Sequence, residues 1–138
     1  MLQALSKNFI HQPNPSSNWV LQGRVMSRQT LKLALNEHVR KRFIDGEYAI
    51  SDHAIIEARK DGIEPRTVEK LEWVAINGEV IEEYVDRERV LIYAVLKEEN
   101  LPVHIIVDYS LREEPVVVTA YVPDSKYWLS YKTRKTRK

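Results

Sequence analysis

An imidazole, a hydroxyl and two phenols recur along runs that should be extended: Tyr93, His104, Thr119 and Tyr121, with Arg89 and Lys97 bounding the first run. Together on one open surface, these side chains could cleave RNA without a metal. That reaction needs a group to take the proton of the ribose 2′-hydroxyl and a group to protonate the leaving oxygen. It also needs a cation for the transition-state charge. His104, ordinarily titrating near neutrality, suits either proton role. Arg89 and Lys97 suit phosphate, Tyr93 and Tyr121 a stacked base or an oriented proton, and Thr119 one hydrogen bond.

Other chemistries lack their residues. There is no cysteine, so thiolate chemistry and disulfides are excluded and a reducing cytoplasm is compatible. The four histidines, His11, His38, His53 and His104, are scattered without metal-ligand spacing. Four glycines form no phosphate-cradling loop, and no serine sits in a nucleophile elbow. Neither a metal nor a cofactor is expected. No apolar run is long enough to span a bilayer, and the N-terminus lacks the apolar core of a secretory signal, so a cytoplasmic protein is expected.

The elements that must position these residues are readable. Four runs dense in Val, Ile and Tyr, at 79–86, 89–97, 101–109 and 115–122, are separated by short polar breaks and predict an antiparallel meander. Alternation puts Val90, Ile92, Ala94 and Leu96 on one face, with Val103, Ile105, Val107 and Tyr109, and with Val116, Val118, Ala120 and Val122. The opposite face would display Arg89, Tyr93, Lys97, His104, Thr119 and Tyr121. Ahead of the strands, leucines at helical spacing predict a helix over Thr30–Phe43. Ser51 or Asp52 should cap a second helix ending at Lys60, and Pro65 should open a third reaching Ile76, with Val68, Leu71, Val74 and Ala75 inward. The expected fold is α+β, with N-terminal helices packed on one face of a four-stranded antiparallel meander sheet. Residues 1–28 read as a poorly structured extension, 29–129 as the single domain and 130–138 as a basic tail, with Met26 an alternative start. Trp128 should lie against the sheet edge.

The net charge of +1 hides a pattern. Residues 1–50 carry seven Lys/Arg against three Asp/Glu, residues 51–126 nine against seventeen, and residues 127–138 five against none. RNA would therefore be held by the arms, with Lys132, Arg134, Lys135 and Arg137 joining Arg89, Tyr93 and Lys97. Each of these residues also has a plainer use. A histidine in an apolar strand is commonly structural, tyrosines pack across strands, and a short basic tail aids solubility. Glu79, Glu82 and Glu83 would repel phosphate on the same surface. Carboxylates interleaved with His104 and Tyr121 would favour a non-catalytic protein-binding module on the same scaffold.

Several stretches together resemble a known family. They are Ser51-Asp52-His53-Ala54, Asp61-Gly62-Ile63, Asn77 to Tyr84, Leu101 to Val107, and Val118 to Asp124 with Trp128. The chain resembles, over about residues 50–129, the domain of unknown function family 4258 (DUF4258). In layout that family is similar to ribonuclease toxins of the RelE type. The resemblance implies His53, His104, Thr119 and Tyr121 as the characteristic polar residues. It also implies a metal-free endoribonuclease of the toxin–antitoxin type, acting on RNA and neutralised by a small antitoxin protein. Arginines implied four and eight residues after the first histidine are here Glu57 and Asp61, with Arg59 nearby.

Overall fold

A computed structural model describes residues 9–10, 18–21, 24–110 and 114–135, with side chains described from Ser27 onward. Strands β1 (Phe9–Ile10), β2 (Asn18–Leu21) and β3 (Arg24–Ser27) pair antiparallel in a small sheet of their own. The N-terminal stretch thus contains paired strands where composition suggested little organisation. Most of the proline-rich loop expected at 11–18 lies outside the described residues.

Helix α1 (Arg28–Ile44) starts where the Ser27 hydroxyl accepts from the Thr30 amide, and Lys41 and Arg42 occupy its last turn. Gly46, at φ +74°, lies just past its end, in a conformation that only glycine adopts without cost. Leu31, Leu35, His38, Val39 and Phe43 form its buried stripe. A two-residue strand, β4 (Ala49–Ile50), follows. Helix α2 (Asp52–Lys60) is capped by the Ser51 hydroxyl, which accepts from Ala54, and Ala54 and Ala58 bring it close to the sheet. Helix α3 (Thr67–Asn77) begins two residues later than Pro65 suggested, after Arg66 in the left-handed region. It buries Leu71, Val74 and Ala75, whereas Val68, expected inward, is exposed.

Strands β5 (Glu79–Tyr84), β6 (Arg89–Leu96), β7 (Leu101–Asp108) and β8 (Val116–Tyr121) form the expected antiparallel meander. The sheet has a fifth strand, however: β4 adds parallel to β8, giving the order β4-β8-β7-β6-β5. The sheet is therefore mixed rather than purely antiparallel. Two residues were too few to read as a strand.

Two bulges change the predicted faces. In β5, Val80 pairs with Ile92 and Glu82 with Leu91, leaving Ile81 as the extra residue. Glu79, Glu82 and Tyr84 consequently share the face of Tyr93, Leu91 and Arg89, while Glu83 pairs with Val90 on the side of α1. There its nearly buried carboxylate meets Arg28 at 2.8 Å and Lys32 at 4.0 Å. In β8, Thr119 pairs with Ile106 and Val117 with Val107, so Val118 is extra and the inward set is Val117 and Ala120. Along β6 and β7 the predicted alternation holds: Val90, Ile92, Ala94, Leu96, Val103, Ile105, Val107 and Tyr109 join the helices in one core.

The outer edge of β5 is closed at its start by a side chain. The Asn36 amide on α1 donates to the Gly78 carbonyl at 3.3 Å and accepts from the Val80 amide at 2.9 Å, the pair of bonds a further strand would make. Gly78 is held between α3 and β6. A Cβ there would stand 2.6 Å from Ile92 Cγ2 and from the Val74 carbonyl.

Two predictions follow from this packing. Gly78→Ala should lower stability by about 1–3 kcal/mol in urea denaturation, because backbone and core must shift to admit one carbon. Buried His38 has its pKa lowered from 6.5 to about 4, first by burial and then by Arg42. The folded state stays neutral at 38 where the unfolded chain is protonated, so stability present above the ordinary value falls as acid is added towards about pH 4. The loss should be on the order of 2 kcal/mol at about pH 5, and His38→Leu should remove that share of the pH dependence.

Candidate functional site

The face of the sheet away from the helices begins as the sequence suggested, with a row of polar and aromatic side chains. Tyr93, His104 and Tyr121 are direct neighbours across β6, β7 and β8. Thr119 lies two residues before Tyr121 and, half-buried, on the same side. That face is not open. After β8 the chain turns at Asp124–Tyr127 and returns as a hairpin of β9 (Trp128–Leu129) and β10 (Thr133–Arg134) laid over it. Trp128, expected at the sheet edge, instead packs edge-on against His104 at 4.5 Å between ring centres and is 5% exposed.

His104 is 0% exposed and both of its ring nitrogens are engaged. Nε2 lies 2.6 Å from the Tyr131 carbonyl oxygen. A carbonyl only accepts, so Nε2 carries the proton and donates. In the neutral ring Nδ1 is then an acceptor, and the Tyr121 hydroxyl, 3.1 Å away, donates to it. Burial, the largest influence, pushes the imidazole below its usual range, and the bond to the Tyr131 carbonyl opposes it. Burial likewise raises the Tyr121 phenol, with Arg134 opposing. Both groups are thus held in their neutral forms near pH 7.

Charged pairs surround this neutral centre. Arg134 Nε donates to both oxygens of Glu82, at 3.2 and 3.0 Å, and the guanidinium lies 4.6 Å from the Trp128 ring centre. The Tyr84 hydroxyl also donates to Glu82, and burial with that bond pushes its pKa up to about 12. Lys132 pairs with Glu79 at 2.7 Å and stands over the Tyr93 ring. The carboxylates of β5 are therefore interleaved with the aromatic row.

The predicted catalytic set is divided. His104, Thr119 and Tyr121 are together, but His53 is exposed on α2, which packs its Ala54 and Ala58 into the core on the helix side of the sheet. Of the positions where arginines were implied, Asp61 instead accepts from the Val122 amide at 2.8 Å, fixing the exit of β8. The expected RNA contacts are dispersed. Arg89 lies 3.6 Å from Asp108, Tyr93 is half-buried under Lys132, and Lys97 is exposed in the turn after β6. Lys132 and Arg134 are engaged by β5, Lys135 is exposed at the hairpin end, and Arg137 lies outside the described residues. No group of three or more potential metal-ligating side chains occurs among the described residues. No helix among them is long and apolar enough to cross a membrane.

The hairpin was the missed part of the site. Its turn places Ser130 and Tyr131 in the left-handed region, at φ 51° and 63°, without the Asn or Gly that ordinarily announces such a turn. The remaining signal was Trp128 within a polar, basic stretch.

Among the described residues, three α-helices on one side of a mixed five-stranded sheet, with an aromatic and acidic face on the other, define a small α+β domain. The profile of a family described as a domain of unknown function (DUF4258) matches residues 50–122, and the chain belongs to that family. The match spans α2, α3 and β5 to β8, holds His53, His104, Thr119 and Tyr121, and stops short of the hairpin. No curated protein and no solved structure matches the chain.

Tyr121→Phe removes the donor to a ring nitrogen of the fully buried His104. It should cost about 1–3 kcal/mol in chemical denaturation without changing the fold seen by circular dichroism.

Proposed function

We propose that the domain is a protein-binding module whose working surface is the outer face of the sheet, the face its own C-terminal hairpin occupies here. One observation carries this reading. His104 is sealed, with both nitrogens bonded, and the carboxylates of Glu79 and Glu82 lie on the same face as the aromatic row, a charge that repels phosphate. An imidazole without a free nitrogen neither takes nor gives a proton to a ligand. A face that holds cations on its acids and an indole on its aromatic row has instead the character of a peptide site.

A second reading, a metal-free endoribonuclease of the toxin–antitoxin type, draws on one feature. The His104–Tyr121 pair, with Thr119 beside it, is a ready acid–base couple once the hairpin lifts. In that case RNA would be the substrate and an antitoxin protein the partner.

Bacterial expression separates the two. On the binding reading, inducing the intact chain leaves growth unchanged, and purified Trp128→Ala protein leaves labelled RNA uncut. Growth arrest that disappears in His104→Ala, or cleavage of the RNA, would replace the binding module with the nuclease.

A further inference from the structure

We infer that the outer face is a receptor for a peptide segment presenting one tryptophan with one arginine stacked beside it, and that residues 124–135 are a tethered copy of that ligand. The inference rests on the binding-module reading and specifies its partner.

The docking is built like recognition of a ligand rather than like the addition of strands. The hairpin belongs to neither edge of the main sheet. Its backbone bonds, Lys132 to Leu129 and Lys135 to Tyr127, run within the segment itself. It meets the sheet through side chains and one carbonyl. Trp128 fits against the His104 ring, with Tyr93 and Tyr121 packed on that imidazole from either side. Arg134, paired across the hairpin with Trp128, stacks on the indole and bonds Glu82. Lys132 reaches Glu79, and the Tyr131 carbonyl accepts a hydrogen bond from His104 Nε2. A buried aromatic anchor beside a paired guanidinium is the usual energetic centre of a peptide interface.

The hairpin also depends on the face for its order. Strands of two residues form no stable hairpin in water. Its turn places two non-glycine residues, Ser130 and Tyr131, in the left-handed region, which L side chains adopt only at a cost. Leu129 on its outer side is 60% exposed and contributes little burial. Contacts to the face must offset this cost, so a segment supplying the same contacts can replace the hairpin. The charges match in the same sense: acidic residues on β5 and, in residues 127–138, five basic residues and no acidic one.

The test uses the full chain with Trp128→Ala, which removes the tethered anchor and leaves Tyr93, His104, Tyr121, Glu79 and Glu82 in place. The probe is a fluorescent synthetic peptide of residues 124–135, followed by anisotropy. The variant should bind it at least about tenfold more tightly than the unaltered chain, whose own hairpin competes at high effective concentration. Glu82→Lys in the variant, or alanine for the peptide's tryptophan, should abolish binding. Should Trp128→Ala fail to fold, the double variant Lys132→Glu, Arg134→Glu keeps the indole and loosens the rim, and it should bind the peptide above the unaltered chain. A folded variant with freely exchanging hairpin amides that ignores the peptide would overturn the inference and leave the binding-module reading standing. A chain that dimerises by exchanging hairpins, with no peptide binding by the variants, would make a second copy the occupant and overturn it as well. RNA cleavage by the variant would instead strike the reading beneath it.

Discussion

A neutral imidazole buried in the middle of a sheet must keep both of its nitrogens bonded, and the outer face is arranged around that requirement. A buried polar nitrogen without a partner costs as much as a well-packed side chain contributes. Tyr121, the cross-strand neighbour of His104, satisfies Nδ1 from within the sheet. Nothing in the sheet satisfies Nε2; its partner is a backbone carbonyl brought by the hairpin. The position of the hairpin and the tautomer of the ring are therefore tied together, and with them comes the burial that depresses the basicity of the imidazole against the opposing bond to Tyr131. Lifting the hairpin admits water to Nε2 and changes all three together. This is why one side chain can look like a general base in the sequence and like a keystone in the folded chain.

The electrostatics extend the same theme. The sequence divides into an acidic body and a basic C-terminal arm, and the fold brings part of the arm onto the acids. Lys132 and Arg134 were read as hands for a phosphate backbone, yet in the closed state they neutralise Glu79 and Glu82. Exposed ion pairs are weak individually. Here one of them also stacks on a buried indole and shares its carboxylate with Tyr84, which gives the rim geometry as well as charge. Glu83 follows the opposite course, turned beneath the sheet by a single extra residue in β5 to meet Arg28 and Lys32.

Much of the architecture was legible because its signals are local. Ser51 caps a helix as its type and position suggested, and Val and Ile alternate along β6 and β7 with the period of a strand. Where legibility failed, the cause lay in pairing. Ile81 and Val118 are ordinary strand residues, and only register with a neighbour makes either one a bulge. A parallel strand of two residues, Ala49–Ile50, has no periodicity to detect. Of the candidate site, the membership of His104, Thr119 and Tyr121 on one face was readable. Its closure was not, because Ser130 and Tyr131 enter the left-handed region under tertiary contacts rather than by local preference. His53 was assigned by likeness of motif, and the sheet stands between its helix and the rest of the set.

Asn36 caps the border of the main sheet. By making the two bonds that a sixth strand would make to Gly78 and Val80, its amide ends the hydrogen-bond ladder at that border of the sheet with a group that cannot be propagated. Chains that stack edge to edge into fibrils need an unclaimed rung from which to grow. This molecule presents none at the start of β5, so self-templated aggregation has no foothold at that rung.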